Sequence, residues 1–251
     1  MDNFLEILQT TGLANIQIGN IIMIFIGLIA IYFAITKKYE PLLLLPIGFG
    51  IIVGNIPSIP SIAIGVFDTV ENGAASNSVF SMIYYLVTSG IFPPLIFLGI
   101  GALTDFSSLI SNPKSLLLGA AAQLGIFVTF IGALILGFSA PEAASIGIIG
   151  GADGPTSIFL ASQLAPHLLG PIAIAGYSYI ALVPLIQPPV MKLLITEKEA
   201  RIRMKPARKV SRKEKILFPI IVTILAALIV PGSIPLVGML MLGNLLKESG
   251  V

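Results

Sequence analysis

One carboxylate stands out among the residues able to do chemistry. Asp153 lies in the run Gly150-Gly151-Ala152-Asp153-Gly154-Pro155-Thr156, with apolar, helix-like sequence on either side, AASIGII before it and SIFLASQL after. A carboxylate in hydrocarbon costs roughly 2.5–3.5 kcal/mol by insertion scales, so such a group persists where it faces an interior path and has a task. The surrounding glycines and Pro155 break helical continuity. Unwinding exposes backbone carbonyls, and half-helix ends near the bilayer midplane are the means by which transporters hold Na+ or H+. A hard monovalent cation asks for oxygen ligands, by analogy with other hard cations. The oxygens at hand are the Asp153 carboxylate, the Thr156 and Ser157 hydroxyls, and carbonyls near Gly151. The competing role for Asp153 is to cap the half-helix that starts after it, with Pro155 in its first turn; both roles are compatible. No GK[ST] follows the glycines, which disfavours a phosphate loop.

Further along, Tyr177 and Tyr179 sit in AGYSYIALVPLIQPPV. They read either as an interfacial aromatic belt or as phenols beside the Asp153 site, acting as ion ligand or proton carrier. His167, the single histidine, follows Pro166 in a turn and reads as solvated or capping. Lys192 reads as a snorkelling cation, Asp105 as a turn or cap residue, and Gln123 and Gln187 as interhelical hydrogen-bonding groups. The chain has no Cys, which excludes disulfides, thiolate nucleophiles and Cys-ligated metal clusters. One His leaves no histidine cluster for a metal.

The elements that must position these groups follow from composition. Of 251 residues, 56 % are hydrophobic and 10 % charged, and the mean hydropathy is +1.00. Soluble domains are about 25 % charged, so the chain reads as an all-α polytopic membrane protein forming a single membrane domain. Apolar runs at 16–36, 41–56, 79–103, 116–138, 170–196 and 216–230 read as spans, and 236–251 as the start of another. The span at 79–103 is expected to be broken near Pro93-Pro94. Residues 1–15 are mildly amphipathic without the features of a signal peptide, and 57–77, with acids but no basic residue, read as an external loop.

Nine of the 14 Lys and Arg fall in 197–215 against three acids, leaving +6 there and −4 elsewhere. Under the positive-inside rule this stretch reads as a cytoplasmic loop, an orientation anchor open to anionic-lipid or soluble-partner contact. A nucleic-acid site is disfavoured because no aromatic residue interleaves the charges. Lys37, Lys38 and Lys114 mark the same side. The count of crossings then places 197–215 inside only if 143–164 is broken or re-entrant around Gly150–Thr156, entering and leaving on the outer side.

Four stretches carry a family resemblance: IGIIGGADGPTSIFLASQLAP, AGYSYIALVPLIQPPVMKLLITEKE, FPPLIFLGIGALTDFSSLISNPKSLLLGAAAQLGIF and GMLMLGNLLKESGV. The chain resembles the β subunit of the biotin-dependent, sodium-pumping decarboxylases, a group that includes the oxaloacetate, methylmalonyl-CoA, glutaconyl-CoA and malonate enzymes. The resemblance implies a multi-pass subunit of the cytoplasmic membrane that decarboxylates carboxybiotin presented by a biotin-carrying carboxyltransferase α subunit. Na+ export and proton uptake would be coupled to that step, with a small γ subunit and a homo-oligomer expected. It implies that Asp153 is the ion-binding acid and that Tyr179, with Tyr177 beside it, is functional. Family members carry a second half-site, an Asn and a Ser in another Gly-rich broken helix. Its lack here gives the expectation that these residues correspond to the N-terminal part of an inverted-repeat, transporter-like fold. The rival functions are a Na+- or H+-coupled secondary carrier of an organic anion and a membrane anchor without transport.

Overall fold

The computed structural model describes residues 11–39, 41–57, 78–203 and 207–250. All but the first residue of the external loop expected at 57–77, most of the amphipathic start and Lys205 of the basic run lie outside the described residues. Long aliphatic stretches with few β-branched alternations satisfy their backbone within each segment, as a bilayer requires. Among the described residues there are helices and no strand. In chain order these are α1 (Ile18–Thr36), α2 (Pro41–Gly54), α3 (Val79–Thr88), α4 (Phe92–Leu103), α5 (Ser107–Ser111), α6 (Leu116–Ala122) and α7 (Leu124–Ile135). They continue as α8 (Ala140–Gly147), α9 (Gly154–Leu164), α10 (Leu169–Leu194), α11 (Glu197–Ala200), α12 (Arg212–Ile229) and α13 (Ile234–Ser249).

Among the described residues, three helical stretches, Ile18–Thr36, Pro113–Ile135 and Pro166–Leu194, are long and apolar enough to cross a membrane, or four if the interrupted pair α3 and α4 counts as one. That pair breaks at 89–91, where Gly90 takes a φ of +75° and Pro93 and Pro94 open the next helix. Pro184, Pro188 and Pro189 all lie inside α10, which runs on through them.

The chain divides into two compact units, residues 1–87 with 177–194, and 88–176 with 195–251. In the first, α1 and α2 form a helical hairpin. Asn20 near the start of α1 donates from Nδ2 to the Asn55 carbonyl just past α2 (3.0 Å). Ala181 and Leu182 of α10 line an apolar cavity with Ile26, Ala30 and Phe33.

In the second unit, α13 packs along α4 and α12 along α13. The α4–α13 contact is backbone on backbone. A Cβ at Gly101 would meet the Leu240 carbonyl oxygen at 1.9 Å, and one at Gly243 would meet that of Leu98 at 2.0 Å. Asn244, fully buried, donates from Nδ2 to the Gly101 (3.3 Å) and Thr104 (3.0 Å) carbonyls, and Lys247 Nζ donates to Thr104 O (2.9 Å). Carbonyls at the end of α4 that the helix leaves without an internal partner are thereby satisfied, with a cation at the negative end of its dipole.

The basic run is partly committed to this polar end. Lys215 lies 3.6 Å from Asp105 and 3.8 Å from Glu248, Arg212 donates to Ser249 O (2.8 Å), and Arg208 pairs with Glu214 (2.7 Å). Asp105 accepts from the Ser107 backbone N–H at 2.9 Å, the turn role its sequence suggests.

Candidate ion site

The segment around Asp153 builds itself from local signals. Ser139 begins α8 with a capping box, its N–H (2.8 Å) and Oγ (2.7 Å) both donating to Glu142 Oε2, and Pro141 sits in the first turn. After eight residues the helix tightens to a 3-10 turn at Ile148–Gly151. Ala152 then takes left-handed angles (φ 54°, ψ 37°), a conformation that costs a residue with a Cβ about 1 kcal/mol. Asp153 is extended, and α9 starts at Gly154 with Pro155 in its first turn.

Neither limb is long enough to cross a bilayer. At about 1.5 Å per residue, the eight residues of α8 and eleven of α9 span about 12 and 16 Å, against a hydrocarbon core of about 30 Å. Instead α9 packs back on α8. His167, just past α9, brings Nε2 to 2.9 Å from Glu142 Oε1, so the two ends of the segment meet and it is a closed hairpin. Helix α7 backs the hairpin closely: a Cβ at Gly147 would lie 3.1 Å from Phe130 Cβ, and one at Gly150 would lie 3.0 Å from the Gly125 carbonyl carbon.

The tip of the hairpin gathers oxygens. The Asp153 carboxylate accepts from Thr156 Oγ1. The Asp153 carbonyl accepts from Ser157 N (3.1 Å) and Ser157 Oγ (2.8 Å). Asp153 and Thr156 are half-buried and Ser157 is buried. Asp153 therefore holds the N-cap position of α9 without a side-chain cap hydrogen bond. Its charge sits at the positive end of the helix dipole, and its side chain is turned to a hydroxyl. One carboxylate among neutral hydroxyl and carbonyl oxygens suits the charge and hardness of a monovalent cation. Among the described residues no group of three or more His, Cys, Asp or Glu could hold a metal ion.

The structure brings Asp153, Thr156 and Ser157 together, with Gly151 ending the 3-10 turn just before them. Gly176 of α10 stands beside Ser157, where a Cβ would lie 3.9 Å from Ser157 Oγ. Tyr177, half-buried, and Tyr179, exposed, follow it on α10 and belong to the other compact unit. Sequence reasoning missed the Glu142–His167 pair. Its only local signals are the Ser139–Glu142 capping box and a histidine in a turn. Hydrogen bonds from Ser139, then the His167 ring, hold the Glu142 carboxyl at about 2, well below its ordinary value.

Fold and site define a polytopic helical membrane protein whose interrupted helix carries a lone carboxylate at the tip of a hairpin. The chain belongs to the Na+-transporting oxaloacetate decarboxylase beta subunit family, whose model matches residues 19–251. It is 56 % identical over 260 residues to the methylmalonyl-CoA decarboxylase subunit beta of Propionigenium modestum, covering 98 % of this chain and 66 % of that one. It is 53 % identical to the glutaconyl-CoA decarboxylase subunit beta of Acidaminococcus fermentans (98 % and 62 %). Against the oxaloacetate decarboxylase beta chain of Klebsiella pneumoniae the identity is 44 % (100 % and 70 %). The chain thus spans slightly under two thirds of the length of the first two relatives.

Proposed function

We propose that this chain is the Na+-translocating membrane subunit of a carboxybiotin decarboxylase in the cytoplasmic membrane. A biotin-carrying α subunit presents the carboxyl group and a small γ subunit completes the complex, as a homo-oligomer of such units. The driving reaction breaks the bond between the biotin nitrogen and the carboxylate, releases CO2 and leaves a proton on the nitrogen. The role of the chain's own residues is to couple that proton demand to an ion. Asp153 binds Na+ with the Thr156 and Ser157 hydroxyls and the Gly151 carbonyl, and a proton from the outer side replaces the ion on the carboxylate. Tyr179 and Tyr177 assist proton movement along α10.

The observation that carries this reading is the Asp153 carboxylate at a hairpin tip, beside two hydroxyls, in a member of a Na+-transporting decarboxylase family. The closure of the hairpin supports its entering and leaving the membrane on one side, which the charge distribution asks for. In proteoliposomes of the complex, Asp153→Asn is expected to abolish Na+-stimulated, avidin-sensitive decarboxylation. Normal coupled activity in that variant would overturn the assignment.

A further inference from the structure

Nothing in the transport step just described uses the contact between Glu142 and His167, yet it closes the segment that carries the ion site. The Glu142 carboxylate is divided between two tasks. Oε2 accepts from Ser139 N and Oγ at the start of α8, while Oε1 faces His167 Nε2 at the end of the return. One side chain therefore begins the outgoing limb and holds the returning one. The limbs need such a tie, because isolated helices shorter than about 12–15 residues are marginal, and the tip they share contains the left-handed Ala152. Fixing the far ends of both limbs fixes the tip between them, and a preassembled set of ligands binds with less ordering cost.

We propose that Glu142 and His167 are positioning residues for cation binding: their pairing keeps α8 and α9 closed so that Asp153, Thr156 and Ser157 stay assembled. The inference rests on the reading of Asp153–Ser157 as an ion site. The charges around the clasp are few. Helices α4, α7 and α9 carry no ionisable side chain, α8 carries only Glu142, and those of α10 are Tyr177, Tyr179 and Lys192. The side chains are 63 % (His167) and 25 % (Glu142) exposed, which keeps the pair in the modest range of surface ion pairs. An effect of about three- to five-fold on cation affinity is the corresponding expectation.

The test is radioactive Na+ binding to the purified full chain at neutral pH, with Glu142→Gln, His167→Gln, the double variant and His167→Lys. Gln at 142 keeps the capping box, so Glu142→Gln weakens the pairing and leaves the start of α8 intact. Each single Gln variant is expected to weaken Na+ binding, and the double variant no more than either alone. His167→Lys, which restores a donor to the Glu142 carboxylate, should recover part of the affinity lost in His167→Gln. Additive losses in the double variant, or no recovery in His167→Lys, would overturn the clasp. Asp153→Asn in the same assay separates the two claims. Undiminished Na+ binding there defeats the ion site, whereas loss there with unaltered binding in both Gln variants defeats the clasp alone.

Discussion

At the scale of single residues, the candidate site depends on how few groups do the work. Ser157 Oγ donates to the Asp153 carbonyl, but that carbonyl also accepts from Ser157 N. Ser157→Ala therefore leaves no buried carbonyl unpaired, and its cost in stability should stay near 1 kcal/mol. The lost hydroxyl is a different matter for a cation. Na+ affinity is expected to fall about ten-fold, equivalent to about 1.4 kcal/mol, with the thermal midpoint nearly unmoved; isotope binding and a thermal melt on the same preparation read both. The make-up of this candidate site was legible in the sequence because its parts are contiguous. Asp153, Thr156 and Ser157 lie within one turn, and glycines and a proline mark the break. The clasp was not legible, since Glu142 and His167 are 25 positions apart and meet only because the chain folds back between them. Asp153 also shows what position alone leaves open. It stands where a cap should, and only the coordinates reveal that its carboxylate serves Thr156.

At the scale of elements, the most constrained contact is the one between α4 and α13. Gly243→Ala would drive a Cβ to 2.0 Å from the Leu98 carbonyl oxygen, and backbone cannot yield as a flexible side chain would. The two helices must separate, breaking the Asn244 hydrogen bonds that bridge them. A loss of about 3 kcal/mol or more, or failure to fold, is the expected result of such overpacking with a lost buried network; the midpoint of thermal unfolding in detergent measures it. A second prediction concerns α12. Arg208, then the Ser211 N–H and hydroxyl, hold the Glu214 carboxyl at about 2 against an ordinary 4.5. A depressed carboxyl stabilises the fold fully above its unfolded value and progressively less as pH falls toward its folded one. The stability gap between wild type and Arg208→Gln should therefore be complete at neutral pH and close between about 4.5 and about 2, as melts across that range would register. Hydropathy made the membrane-length helices visible, and Gly and Pro made the break at 89–91 visible. The continuation of α10 through Pro184, Pro188 and Pro189 was not, because in apolar surroundings neighbouring groups decide whether a proline ends a helix. Nor was the choice of Gly101 and Gly243, among 25 glycines, as positions where two backbones touch.

At the scale of the molecule, charge and the hairpin make one joint claim about orientation. The 197–215 run carries +6 and the remainder −4, and the positive-inside rule argues for placing the run on the cytoplasmic side. That holds only if the segment carrying Asp153 returns to the face it entered from, because a full crossing would invert everything after it. The 2.9 Å contact of Glu142 with His167 at the segment's two ends is what a return looks like; a crossing would hold those ends roughly 30 Å apart. The absence of native cysteine makes the claim directly measurable, since each introduced thiol is unique. Phe138→Cys lies just before the hairpin's cap, Pro166→Cys just after its return, and Lys209→Cys in the basic run; all three positions are exposed. With a membrane-impermeant thiol reagent on oriented vesicles, the first two should label from one face and the third from the other. Labelling of Phe138→Cys and Pro166→Cys from opposite faces would mean that the segment crosses. The basic run would then lie outside, and Asp153 would sit mid-span rather than at the tip of a loop entered and left from the outer side.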